Sequence, residues 1–249
     1  GARSRQMSQS FVKAVELNHM IRRGVGQGFL RSSADSIMWN LGTSMDKRPL
    51  EQRGYLGKGR AVKGPRGESL DKWNVVMIPG ELGGGKSYEA CNFVHRARSE
   101  AAAAGSTEPT FGMHFSYVKW RLEEASPALQ RISGLIEAAG DAAEKSKDTT
   151  PIVIDLVTKL VGEVVSGLER DVGAPRDGTF QAVLVFDQMG WHRTLARQMA
   201  FSHAAIQAAL LPLGMSSVKL VLAGSGVDNI ASPPIGYVDL SEQSAELGM

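Results

Sequence analysis

Cysteine occurs once in the 249 residues, at Cys91, so no intramolecular disulfide can staple the fold. That usage fits a reducing, intracellular compartment, whether cytoplasm, nucleus or mitochondrial matrix. Cys91 itself is expected in the core rather than as a reactive thiol. No uninterrupted apolar run approaches the ~20 residues that cross a bilayer, which removes support for a membrane-spanning reading. Internal repeats and long low-complexity tracts are also lacking. The chain opens on Gly1 rather than Met, which leaves room for a preceding segment, targeting signal included.

What is present is ordinary in bulk and uneven in placement. Hydrophobic residues make up 43% and charged residues 22%, values that suit a globular chain with one sizeable core. Residues 1–72 hold 14 Lys and Arg against 6 Asp and Glu, a net of +8, whereas residues 73–249 net −6. A boundary is therefore expected near residue 72, between a basic N-terminal extension and an α/β domain. Such an excess is either a solvated face or a contact for nucleic acid or an acidic partner.

Within 1–72, Phe11 to Arg23 has the spacing of a short helix. Gly24 to Gly28 is a glycine-rich loop with no Lys-Ser after it. Residues 55–69 form an irregular basic loop or short hairpin.

The most informative stretch is Gly80-Glu81-Leu82-Gly83-Gly84-Gly85-Lys86-Ser87. It follows an apolar strand, Trp73 to Ile78, and precedes an Ala- and Glu-rich helix over Tyr88 to Ala104. Strand, glycine loop with Lys-Ser, and helix together make a phosphate-binding loop. Gly80, Gly83, Gly84 and Gly85 let backbone NH groups close on phosphate oxygens where a Cβ would collide. The helix start at Ser87 and Tyr88 directs its unpaired NH groups and positive dipole end at the same anion. Lys86 is expected on the β- and γ-phosphates, and the Ser87 hydroxyl on Mg²⁺. The blander alternative is a glycine turn that happens to end in Lys-Ser.

Further along, the pattern predicts a strand over 112–120 and a helix over 122–146 with Leu129, Ile132, Leu135 and Ile136 on one face. A helix follows from Pro151 to about Arg170, striped by Ile154, Val157, Leu160, Val161, Val164 and Leu168. A strand over 182–187, one helix over 193–211, and strands over 218–223 and 237–240 complete the chain. Strands alternating with helices argue for a mostly parallel sheet covered on both faces.

The strand Ala182 to Phe186 ends in Asp187, an acid at the carboxyl end of a buried strand, expected beside the strand of the phosphate loop. Asp187 can hold Mg²⁺, directly or through water, or it can simply cap the next turn. Gln188 follows it where many ATPases have Glu. Gln can position an attacking water but cannot take its proton, so hydrolysis is expected to be slow or absent. Ser225, past the fourth strand, either faces the γ-phosphate or is a turn residue between two glycines. His192 either assists this chemistry or caps and packs. Arg193 and Arg197 either reach a neighbouring subunit's phosphate or form a solvated helix face.

On the motifs GELGGGKS at 80–87, VLVFDQ at 183–188 and LVLAGSG at 220–226, the chain resembles a P-loop NTPase of the additional-strand division, the group of AAA+ and STAND ATPases. The segment 211–230 also resembles Crinkler and retrotransposon-hot-spot NTPases. A further similarity is to the mitochondrial ribosomal P-loop protein of the death-associated type, in which the fold is a bound structural element. The resemblance implies a three-layer α/β domain with a five-stranded sheet in the order 5-1-4-3-2.

It also implies Mg²⁺-dependent binding and slow hydrolysis of a nucleoside triphosphate, in a switch or motor-like module, with protein partners or further copies of itself. The alternative is a nucleotide-locked component of a larger, nucleic-acid-containing assembly. The helical lid of active relatives is lacking, and 242–249 is expected to be its stub. An Asn-Lys-x-Asp guanine signature is absent, which favours ATP and leaves GTP open.

Overall fold

The fold is given by a computed structural model that describes residues 74–80, 86–87, 90, 93, 103–106, 108, 110–119, 123, 125, 127–171, 179–227 and 236–237. The basic extension over 1–72, the boundary at 73 and the expected lid stub lie outside the described residues.

Five strands form one parallel sheet: β1 (Val75–Ile78), β2 (Thr110–Ser116), β3 (Phe180–Asp187), β4 (Met215–Ala223) and the two-residue β5 (Gly236–Tyr237). They lie in the order β2-β3-β4-β1-β5. The register sets Val75 to Ile78 against Leu220 to Ala223, and Thr110 to Ser116 against Gln181 to Asp187. The long helices are α1 (Pro127–Lys145) and α2 (Thr150–Asp171). Two shorter ones follow, α3 (Arg193–Phe201) and α4 (His203–Leu210), with 3-10 turns over Met189–Trp191 and Leu211–Leu213. The α/β class with parallel strands is thus as expected. No helix among the described residues is long and apolar enough to cross a membrane.

Alternation along the strands sorts the core into two clusters. Val76, Ile78, Val183, Val185, Val221 and Ala223 pack with Ala90 and Phe93, which follow Lys86 at helical positions. The residues that alternate with them, such as Met77, Phe115, Leu184, Phe186 and Leu222, face the other way, into α1–α4. On that face Phe115 and Phe186 meet ring to ring at 5.1 Å.

Pro127 opens α1, where its missing NH costs nothing. Leu129, Ile132, Ile136, Ala139 and Ala143 are buried at helical spacing. The Thr150 NH at the start of α2 finds Asp148 Oδ1 at 3.1 Å.

Four expectations need correction. β2 runs 110–116 rather than 112–120, because the ladder to β3 closes at the Tyr117 NH and Val118 turns away to α1. The Tyr117 NH donates to Asp187 O at 3.1 Å, and the Val118 NH donates to the buried Ser133 hydroxyl of α1 at 2.8 Å. The buried face of α2 is Val153, Leu156, Val157, Leu160, Val161 and Val164. Ile154 lies at its margin, and the side chain of Leu168 is outside the description.

The single helix over 193–211 is two helices broken at Ser202. The break lets His203 Nε2 reach Val218 O at 2.7 Å, which pins α4 to the sheet. Finally, β4 begins at Met215, three residues early. Ser216 is accommodated there by Glu108 Oε2 at 2.8 Å and Phe180 O at 3.2 Å.

Candidate functional site

In a parallel sheet the strands all end on the same edge, and loops leaving that edge carry functional groups. Here the edge collects the ends of β1, β4, β3 and β2 side by side. Ile78 pairs with Ala223, and the Gly224 NH donates to Ile78 O at 3.2 Å, so the turn after β4 is tied to the exit of β1. Ser116 pairs with Asp187 on the far side. The strand of Asp187 is not beside β1, as expected from sequence. β4 lies between them.

At the end of β1 the backbone turns at Gly80, whose φ of 143° is a conformation that side chains disfavour. Lys86 folds back across the turn and its Nζ donates to Gly80 O at 3.0 Å, with only 7% of the residue exposed. The Lys86 ammonium therefore stands at the exit of β1, beside the backbone of Gly80. Lys86 and Ser87 are helical, so the motif does run into a helix. Glu81 to Gly85 and Tyr88 lie outside the described residues.

Asp187 ends β3 with 1% of its surface exposed. Its Oδ1 accepts the Gln188 backbone NH at 2.8 Å, and its Oδ2 lies 3.5 Å from His114 Nε2. Gln188 has φ 65° and ψ 27°, and is the only non-glycine with positive φ among the described residues. A β-carbon in the left-handed region costs about 1–2 kcal/mol. Such strain collects where the surrounding structure requires a particular turn, functional sites among them. Here the left-handed turn brings the Gln188 NH onto the carboxylate of Asp187.

Ser225 is exposed in a turn flanked by Gly224 and Gly226. This turn lies against Met189 and Gly190, backbone on backbone. A Cβ on Gly224 would meet Gly190 N at 2.3 Å, and one on Gly190 would meet Ser225 O at 2.5 Å. The turns after β3 and β4 are therefore docked on each other. Arg193 closes the seam from outside. Its guanidinium lies across Gly226 and its Nε donates to Gly190 O at 3.3 Å. Arg197 instead lies over the ring of Phe201 at 5.6 Å.

His192 is directed elsewhere. Its Nε2 is 3.2 Å from Glu137 Oε2, its ring meets Tyr117 edge-on at 4.7 Å, and it packs on Gly140, where a Cβ would overlap it. The Tyr117 hydroxyl donates to the same Glu137 carboxylate. That bond, more than the nearby imidazole, holds the Glu137 carboxyl below the usual carboxylate range. Burial, and then Glu137, push the Tyr117 phenol well above its ordinary value. His192 thus belongs to a cluster that fastens the turn after β3 to α1.

Of the sequence-predicted residues, the structure brings Gly80, Lys86, Asp187, Gln188 and Ser225 to one sheet edge. Two buried polar residues on β2, His114 and Ser116, join them and were not anticipated. The signal existed: Thr110, His114 and Ser116 fall at even-numbered positions of the strand, which places polar groups on one face.

Among the described residues no group of three or more His, Cys, Asp or Glu forms a metal cage. Comparison with family models, with curated proteins and with solved structures finds no match for this chain.

Proposed function

We propose that this chain is a P-loop NTPase-type domain that binds a nucleoside triphosphate with Mg²⁺, ATP by preference. The observation that carries the reading is the Lys86 ammonium, buried and turned back onto Gly80 O at the exit of β1. On the same sheet edge, one strand removed, stands the buried carboxylate of Asp187. Read from the other side, the sheet order is 5-1-4-3-2, the order of the additional-strand division. The two packed faces support its three-layer form.

Mg²⁺ takes few protein ligands and keeps phosphate oxygens and waters, so one carboxylate and one hydroxyl suit it without an all-protein cage. Asp187 and Ser87 are the residues that would hold it, and the ion would offset negative charge on the β- and γ-phosphates. Lys86 and the NH groups of the loop, including those of Gly83, Gly84 and Gly85, hold the triphosphate. Ser225 stands on the turn tied to β1 and is available to its far end.

Gln188 can hold a water by hydrogen bonds through its amide. It has no lone pair basic enough to accept the water's proton, so any hydrolysis is slow.

That same residue favours a second reading. With Gln188 in place of a general base, bound nucleotide would lock the fold of a component in a larger assembly. The basic residues 1–72 are then available for nucleic acid or an acidic partner, as in a mitochondrial ribosomal setting. Steady-state phosphate release separates the two. Turnover that disappears in Lys86→Ala and rises in Gln188→Glu supports the hydrolase. Tight ATP binding with no turnover in either wild type or Gln188→Glu supports the scaffold.

A further inference from the structure

The reading above gives Asp187 the metal-side role but leaves open what holds its carboxylate in place. One oxygen, Oδ1, is fixed by the backbone NH of Gln188. The other, Oδ2, is met by an imidazole from the adjacent strand, His114 Nε2, at 3.5 Å. His114 stands two residues before Ser116, the register partner of Asp187, so both side chains project on the same face of the sheet.

That face is the one packed by Val183, Val185, Ala90 and Phe93. Both members of the pair are 1% exposed. Bulk water therefore does not orient the carboxylate, and these two neighbours help to set its direction. An imidazole in that place is costly to bury unless it meets a polar group, and the acid of the candidate metal site lies 3.5 Å from its Nε2.

We propose that His114 is a positioning residue for Asp187. With the proton on Nε2, His114 holds Oδ2 and, together with the Gln188 NH, fixes the rotation of the carboxylate toward the Lys86 side of the site. Partners of this kind behind a metal-side carboxylate set metal affinity without touching the ion. The proposal rests on the nucleotide reading of the site and adds a residue of β2 to it.

The test uses the whole chain and reads the Mg²⁺ concentration that half-saturates ATP binding, by calorimetry. Gln reaches about as far as Nε2 and Asn only about as far as Nδ1, so the two amides separate the contact from polarity alone. His114→Asn is expected to raise the Mg²⁺ requirement about tenfold, with metal-free ATP affinity unchanged. His114→Gln is expected to stay near wild type. Equal Mg²⁺ requirements for the two variants, shifted or not, would overturn the proposal.

Should His114→Asn fail to fold, the ¹⁵N resonance of His114 Nε2 in the wild-type ATP complex carries the test. It must move when Mg²⁺ is added and when Asp187 is replaced by Asn, and a signal indifferent to both overturns the assignment. Wild-type ATP binding that ignores Mg²⁺ would instead fail the underlying reading, an outcome visible before any variant is made.

Discussion

Replacing Gln188 by glycine is expected to raise stability and lower turnover together. The residue sits at φ 65°, ψ 27°, where a Cβ costs about 1–2 kcal/mol. Glycine removes that cost and adds about 0.5–1 kcal/mol through the greater freedom of its unfolded chain. The net gain is about 0.5–1 kcal/mol, or roughly 1–4 °C in Tm for a chain of this size. The bond from the residue-188 NH to Asp187 Oδ1 involves backbone only and survives the change.

On the proposed reading the Gln188 amide holds the attacking water, and its loss should lower phosphate release on the order of 10²-fold. Gln188→Ala is the control. It keeps the strain and loses the amide, so turnover falls equally while Tm does not rise. Thermal melts and phosphate release on the three proteins decide the matter. A Gln188→Gly protein less stable than Gln188→Ala would refute the strain argument. Undiminished turnover would refute the role of the side chain.

Gly224→Ala should destabilise by about 1–3 kcal/mol, because the new Cβ would sit 2.3 Å from Gly190 N and the two docked turns must part; urea titration measures it. Asp187→Leu should cost about 1–3 kcal/mol, since it leaves His114 Nε2 facing an apolar group, and Asp187→Asn should cost clearly less in the same titration.

Acid stability should depend on Glu137. Its folded pKa is depressed by the Tyr117 hydroxyl first, so its contribution is present above the ordinary carboxylate range and lost as pH falls through the folded value. Glu137→Gln should flatten the acid limb of Tm against pH. Tyr117 has the opposite sign. With its folded pKa raised by burial, its contribution is present at neutral pH and lost as pH rises past the phenol range. Tyr117→Phe should remove that alkaline loss.

The strands and helices that sequence made legible are those whose local pattern also decides their burial. The run Ala182 to Phe186 is apolar at every position because both faces of β3 are covered, and it reads as a strand without further help. Where tertiary contacts decide, the pattern misled. Tyr117 to Trp120 continue the β-rich composition, yet the chain leaves the sheet because Ser133 of α1 takes the Val118 NH. Consecutive apolar residues Ile152, Val153 and Ile154 do not fix the angle of α2, and packing chose Val153.

The two halves of the candidate site differ in the same way. Lys86 announces itself by the glycine-rich run before it, and Asp187 by closing the apolar strand β3. His114 becomes visible only once β2 is seen beside β3, because its meaning lies in a neighbour 73 residues away.

The central claim is that Lys86 and Asp187 serve one bound nucleotide. The direct measurement is calorimetric titration of ATP into the wild type, Lys86→Ala and Asp187→Asn, with Mg²⁺ and with EDTA. The account predicts binding to the wild type that tightens with Mg²⁺. It predicts at least a tenfold loss in Lys86→Ala under both conditions, since the proposal assigns the phosphates to its ammonium, which lies at Gly80 O. In Asp187→Asn the loss should appear only with Mg²⁺. Wild type and Lys86→Ala binding ATP equally, or not at all, would contradict it.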